Sequence, residues 1–559
     1  MLCKSLNAIL FPKFRKMPPK KRKSTMTKTI ININMKSRNP DLKPFPHPFI
    51  EGSYGNGSKP KSQLEINLMS LSASIRSKPN WFQKMKDETI RNKWKREAVE
   101  QSSLNEKQVD YVLAELEYYD KIRENSIEMS TVDGVWQSDS LISNELKKSL
   151  IECVKILEDI PESERDWHPD TNNLVLNLVH PSLFCLVYGE TRVINSKDKT
   201  ITLANTLNHN GDGEIIYSDS DNPHSDYTIS NSYQWLPSEF NIKNDGRVKI
   251  ESYINNLHPT EHKKLYEIIE TIFEKFIPLF NKALTDLSNL EIKPSPVKID
   301  PYKWYKDEES NNSDSNEEDD YSEDPFEKRE FIPPDVEEFR MPLFDNLNKI
   351  DLKGKNLQVI VKLANILLTP EKSSYPGGSW HVEGMKNEHI VASGIYYYQS
   401  SNITQSNLQF RTAIAEPDYE QNDERGVSTV YGLNDEMPLN QRIGEIITQE
   451  DRCIVFPNIY QHCVAPFSLQ DVTKPGQRKI LVFFLVDPAL RIISTENVPP
   501  QQSDWYKSEN ESKSRLRNHV KMTLNKAKEH RESLMKERKF FISQNNEYYY
   551  ERPFSLCEH

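Results

Sequence analysis

Five apolar runs follow one another between residues 357 and 487, and they constrain the fold more than any other feature of the chain. They are LQVIVKLANILLT (357–369), HIVASGIYYYQ (389–399), LQFRTAIAE (408–416), RCIVFPN (452–458) and KILVFFLVD (479–487). Each is rich in Val, Ile, Phe or Tyr, and Pro, Gly, Asn and Asp separate them. Short β-branched and aromatic runs bounded by turn formers read as strands, and this many in succession read as an antiparallel sandwich or barrel. KILVFFLVD is apolar at odd and even positions alike, as expected of a strand covered on both faces.

The chain before these runs has a different texture. Residues 80–125 read as helices. Ile90, Trp94 and Ala98 share one face, and Val109, Val112, Leu113 and Leu116 form a stripe behind the capping-box pattern Ser103-x-x-Glu106. NLVLNLVHPSLFCLVYGETRV (173–193) holds strand-like pieces broken at His180-Pro181, and LYEIIETIFEKFIPLFNKAL (265–284) reads as a helix of about five turns. After Trp505, NHVKMTLNKAKEHRESLMKER (518–538) returns to a charged helix with Val520, Leu524, Ala527 and Leu534 on its apolar face. The expected class is α+β. The expected divisions are a disordered basic leader (1–60), a mixed, mainly helical scaffold (61–306), an acidic loop or linker (307–338), a β core (339–505), and a C-terminal helix and tail (506–559).

Charge is unevenly spread. Residues 1–40 carry eleven Lys/Arg and no acid, while residues 307–330 carry twelve acids against two bases. The net charge of −11 leaves a mildly acidic body with no broad phosphate-binding surface, so a nucleic-acid groove is not indicated. PPKKRKST (18–25) suits a nuclear import signal, and the acid-free leader also suits a mitochondrial transit peptide. The six cysteines form no CxxC and are too sparse to staple a secreted chain, which points to reduced thiols inside the cell. The longest apolar run, ILVFFLV (480–486), is too short to span a bilayer. An intracellular protein of the nucleus or cytoplasm is expected, with the mitochondrion as the competing reading of the leader.

The chemistry concentrates at PGGSWHVEGMKNEHIVASGIYYYQ (376–399). With 83 acids and 13 histidines in 559 residues, about two His-x-acid pairs arise by chance, and the chain has four. His530/Glu532 lies on the charged helix, where i and i+2 diverge. His224/Asp226 sits in a polar loop, and His168/Asp170 flanks a Pro turn. Only His381 and Glu383 stand between a Gly-rich loop and a strand, where extended backbone points both to one side. They make two-thirds of a 2-His-1-carboxylate metal triad. His462, just after the strand RCIVFPN, supplies a third ligand. Arg478 opens the next strand and is placed to grip a carboxylate; Lys479 and Arg411 are the competing anion partners. His389 belongs further along its strand, away from the ligands. Tyr396, Tyr397 and Tyr398 include both faces of a strand, so at least one faces the pocket. Trp380 covers the site or simply packs, and Cys463 points away from His462. No GxSxG, Walker loop or HExxH is present.

A His-x-carboxylate, a distal His and an Arg opening the following strand resemble the site pattern of Fe(II)/2-oxoglutarate-dependent oxygenases. From about residue 80 onward the chain also resembles a mainly fungal family catalogued as domain of unknown function 4246. The resemblance rests on DWHPDTNNLVLNLVHPSLFCLVYG, WHVEGMKNEHIVASGIYYY, GQRKILVFFLVDPALRIISTENVPPQ and FSLCEH. The oxygenase resemblance implies a double-stranded β-helix core of jelly-roll or cupin type. It implies Fe(II) on His381, Glu383 and His462, and 2-oxoglutarate as cosubstrate with its distal carboxylate on Arg478. The implied reaction is oxidative decarboxylation of 2-oxoglutarate coupled to hydroxylation or demethylation. Most relatives carry Asp at the carboxylate position, where this chain has Glu383. A non-catalytic scaffold of the same fold and a structural zinc site are the alternatives. The substrate stays open between a small molecule, a protein side chain and a nucleobase, and the oligomeric state is not legible.

Overall fold

The computed structural model describes residues 36–49, 57–195, 200–209, 211–218, 227–290, 294–306, 326, 329–343, 347–506 and 522–556. The basic stretch 18–25, most of the acidic tract and the His224/Asp226 pair lie outside them. Helix and sheet are mixed. Seven strands of the C-terminal half are β1 (Asn356–Leu368), β2 (Ile390–Ser401), β3 (Asn407–Ala413), β4 (Asn440–Ile447), β5 (Cys453–Pro457), β6 (Gln461–Val464) and β7 (Gly476–Val486). All five strand-like runs of the sequence fall in them.

A ten-stranded, wholly antiparallel sheet has β5-β2-β7-β1 at its centre. Short strands from earlier in the chain extend it. Trp136–Ser138 pairs with β5, while Val175–Val179 and Ser238–Ile242 both pair with β1. A smaller sheet, β4-β3-β6, lies apart from it in hydrogen bonding.

β7 explains the architecture. Leu481, Phe483 and Leu485 face one core, and Val482 and Phe484 face another. On the first side lies the helix Lys263–Leu287, 25 residues or about seven turns rather than five. Its Phe273 and Phe276 meet Phe483 at ring centroids of 5.0 and 5.4 Å. Gly394 on β2 permits this approach, since a Cβ there would stand 3.0 Å from both Phe276 and Phe280. On the second side lies the small sheet, whose Leu408, Phe410, Ile443 and Ile446 share a core with Ile395, Tyr397, Phe456, Val482 and Phe484. Each fully buried aliphatic or aromatic side chain contributes about 1.5–3 kcal/mol. The two cores drive the layering, and the candidate site sits at the edge of the second.

Two local readings shift. The helix expected after Ser103-x-x-Glu106 starts at Glu106 with Asn105 as its cap. Asn105 Oδ1 accepts from the Gln108 N–H and Gln108 Oε1 accepts from the Asn105 N–H, both at 3.0 Å. Asn caps as well as Ser, so the reciprocal pair forms two residues later. The C-terminal helix spans Leu524–Asn545; Ala527 and Leu534 are buried as expected, but Leu524 is exposed, and Val520 lies outside the described residues. Trp94 and Ala98 are buried, and Val109, Val112, Leu113 and Leu116 form the expected stripe. The four described cysteines are free and buried. Among the described residues, no helix is long and apolar enough to cross a membrane.

Candidate metal centre

The segment 376–383 runs beside β6. His381 and His462 form an antiparallel bridge, with the His381 N–H donating to His462 O at 3.2 Å and the His462 N–H donating back at 3.0 Å. Residues opposed in this way project to the same face. Their rings accordingly stand side by side, centroids 4.5 Å apart. Two residues further, Glu383 returns to that face. Its Oε1 lies 3.8 Å from His381 Nε2 and 3.4 Å from His462 Nε2. One donor atom from each residue lies within 4.8 Å of the other two. Among the described residues this is the one group of three or more His, Cys, Asp or Glu with that geometry. Two ligands at ~2.1 Å from one ion, mutually perpendicular, stand about 3 Å apart, so small side-chain motions close the set.

The surroundings suit ligand duty. His381 Nδ1 lies 2.8 Å from Ser379 O; with its proton donated there, Nε2 is left free to ligate. The His462 side chain is 5% exposed, and its ring packs on Phe456 at 4.8 Å. Its Nδ1 is buried without a hydrogen-bond partner. Asn458, which sequence reasoning missed, clamps Glu383 through the main chain. Its Oδ1 accepts from the Glu383 N–H at 2.8 Å, and its Nδ2 donates to the carbonyls of Glu383 and Ile390, each at 2.9 Å. Gly384 follows at φ +70°, and a Cβ there would stand 2.8 Å from Glu388 Oε2, so the turn out of the motif requires glycine.

Charge is tightly coupled. Burial opposes ionisation of Glu383, but the two imidazoles outweigh it and hold the carboxylate well below its usual range. Burial pulls His381 down, yet Glu383 beside it wins and raises it. Burial and the neighbouring His381 lower His462 against the pull of Glu383.

Arg478 lies on the face of β7 that meets the small sheet and is 2% exposed. Its Nη1 donates to Ser406 Oγ and, at 3.4 Å, to Thr448 Oγ1. Its guanidinium lies 5.0 Å from the Phe467 ring centroid and 5.6 Å from that of Tyr397. Among the described residues no carboxylate pairs with it, and its Nε has no partner. The two competing cations are engaged elsewhere. Lys479 reaches Glu158 at 2.8 Å, and Arg411 reaches Glu551 at 2.7 Å. The choice left open among three tyrosines falls to Tyr397, because Tyr396 and Tyr398 belong to the opposite core. Trp380 lies under Arg411, whose guanidinium is 4.9 Å from the Trp380 ring centroid. Cys463 points away from His462, toward Gln409. His389 takes no part in the triad and packs against His47.

The profile of a protein family of unknown function, DUF4246, matches residues 106–509, and its N-terminal domain profile matches residues 18–97. The chain belongs to the DUF4246 family. No curated protein matches it. Solved structures similar to this DUF4246 member include the Fe(II)/α-ketoglutarate-dependent dioxygenase TqaL, at 13% identity, covering 62% of this chain and 91% of that one with a TM-score of 0.20. IDO from Bacillus thuringiensis is 14% identical over 25% of this chain and 51% of its own, with a TM-score of 0.16. The chain thus spans about half the length of IDO. The non-heme monooxygenase ThoJ in its nickel complex is 12% identical over 34% of this chain and 67% of its own, with a TM-score of 0.15. Likenesses of that size do not establish a shared fold.

Proposed function

We propose that this DUF4246 protein is an Fe(II)- and 2-oxoglutarate-dependent oxygenase, a hydroxylase or demethylase. The observation that carries the reading is the His381–Glu383–His462 triad, two imidazoles and one carboxylate brought together from segments about 80 residues apart in sequence. Such a donor set holds Fe(II) on one face and leaves the other positions open. His381, Glu383 and His462 would hold the ion, and Fe(II) with O₂ and a 2-oxo acid supplies the oxidising chemistry.

The protein's own part is positioning. Arg478 is a buried cation with no acid beside it among the described residues. Such a group is costly to keep unless an anion arrives, and a guanidinium receives a carboxylate through two parallel hydrogen bonds. The distal carboxylate of 2-oxoglutarate is that anion, held with Ser406 and Thr448 at hand. Asn458 and Ser379 fix Glu383 and His381 before any ligand binds.

The strand order supports a double-stranded β-helix. β1, β2, β5 and β7 fall in the large sheet, and β3, β4 and β6 in the small one, with the segment carrying His381 beside β6.

Anaerobic titration of the metal-free protein with Fe(II) and 2-oxoglutarate tests the proposal. A visible charge-transfer band is expected, lost in His381→Ala and weakened in Arg478→Ala. No band and no bound metal would overturn it and leave a non-catalytic scaffold as the better reading.

A further inference from the structure

Lys362 is a second cation inside the candidate site, and nothing in the reading above uses it. It lies on β1 opposite Val482, while Arg478 on β7 lies opposite Ile366. Val482 and Arg478 are four residues apart on one strand, so Lys362 and Arg478 share a face of the sheet. At ~3.3 Å per residue they stand about 13 Å apart along the strand direction. That face is the one turned toward the small sheet, where Ile360 and Val482 are buried.

The partner strand on the other side adds two imidazoles. Leu363 pairs with Val179, so the same register brings His180 beside Lys362. The His168 ring packs tilted against His180 with centroids 5.1 Å apart, and its Nδ1 is buried without a hydrogen-bond partner among the described residues. A row of His168, His180 and Lys362 thus crosses the sheet toward the metal triad.

Lys362 is half-buried and has no hydrogen bond or ion pair among the described residues. Buried lysines are rare unless paired. The acid that acts on it is Glu383, and burial outweighs that attraction, so its pKa is lowered. Glu383 is already shared between two histidines and, in the proposed function, a metal ion. Lys362 and Arg478 are thus two cations on this face that have no carboxylate of their own among the described residues.

We propose that Lys362 is a second carboxylate-binding residue of this site, separate from Arg478 and nearer the triad. This rests on the oxygenase reading. Two sources supply a carboxylate there: the 2-oxo acid end of the cosubstrate and an anionic substrate.

The test uses the full-length protein and Lys362→Met, with Lys362→Arg to restore the charge. Fe(II) complexes are titrated without O₂ using 2-oxoglutarate and 2-oxobutyrate, which keeps the 2-oxo acid end and lacks the distal carboxylate. Benzoate binding to the Fe(II)–2-oxoglutarate protein is measured by calorimetry. Loss of a charged hydrogen bond weakens binding about tenfold or more. If Lys362→Met weakens both 2-oxo acids to that extent and Lys362→Arg restores them, the carboxylate is the cosubstrate's. If both 2-oxo acids bind as before and benzoate alone is weakened, it is the substrate's. Unchanged binding of all three overturns the proposal. Co(II) uptake, followed by its absorption, is measured separately. Wild-type protein that takes up no metal sinks the oxygenase reading, and benzoate binding to the metal-free protein then decides whether Lys362 binds a carboxylate.

Discussion

The side-chain amide of Asn458 holds both polar ends of the Glu383 main chain, accepting from its N–H at 2.8 Å and donating to its carbonyl at 2.9 Å. Asn458 is 1% exposed and 75 residues away in sequence, so the amide sets the carboxylate's position without touching it. Asn458→Asp keeps the acceptor and turns a second oxygen toward two carbonyls. Outer partners of metal ligands are worth about 10–100-fold in affinity. The variant is expected to bind Fe(II) or Co(II) weaker by that factor while its far-UV spectrum stays native. Equal metal affinity in variant and wild type would show that the turn is held by other means.

The C-terminal helix is tied to the same loop by an ion pair. Glu388 is fully buried, accepts from the N–H groups of Trp235 and Met385, and pairs with Arg538, whose guanidinium lies 3.9 Å from the Trp235 ring centroid. Removing one partner of a buried pair leaves an uncompensated charge and costs about 3–5 kcal/mol. Arg538→Ala is expected to lose that much in urea unfolding. The double variant Arg538→Met/Glu388→Gln is expected to recover part of it. A loss below ~1 kcal/mol in the single variant contradicts the assigned pairing.

Much of this was legible from sequence, for physical reasons. Strand composition and turn formers located β1, β2, β3, β5 and β7, because a sheet covered on both faces needs apolar residues at nearly every position. The proximity of His381 and Glu383 was legible because extended backbone sends i and i+2 to one side, which links the two without any tertiary knowledge. Asn458 was not, since its role is a contact between two turns far apart in the chain. Lys362 was not either: in LQVIVKLANILLT it reads as an ordinary polar interruption, and only the fold brings it beside His180 and within the electrostatic reach of Glu383. Arg478 had two rivals, and the sequence held no trace of Glu158 and Glu551, the acids that occupy them.

Asp286 ties stability to pH. Burial raises its carboxyl to about 7, against the hydrogen bond from the Trp136 indole N–H at 2.7 Å, which favours the charged form. In the unfolded chain an Asp titrates near ~3.9. Between those values the folded state binds the extra proton, so this group's contribution to stability is full below about pH 4 and is lost as pH rises through about 7. Asp286→Asn keeps an acceptor for the indole and removes the titration. Urea melts from pH 5 to pH 8 are expected to show the variant gaining on wild type by ~1–3 kcal/mol across that range. A constant difference between the two would place the titration elsewhere.

Arg478 should trade stability for binding. Its guanidinium is buried with two hydroxyls and two aromatic rings and, among the described residues, no acid, and burial accordingly lowers its pKa. Keeping an unpaired charge there is costly until an anion binds, and replacing such a charge by an apolar side chain of similar volume is often neutral or stabilising. Arg478→Met is therefore expected to melt at or above the wild-type temperature when no 2-oxoglutarate is present. Added 2-oxoglutarate with Fe(II) should raise the wild-type melting temperature and leave that of the variant nearly unmoved, because a ligand stabilises only the protein that binds it. Thermal melts of both proteins across a 2-oxoglutarate titration read both effects at once. A variant that melts far below wild type in the absence of ligand would mean that Ser406, Thr448 and the Tyr397 and Phe467 rings already offset the buried charge, and that Arg478 holds the fold rather than waiting for an anion.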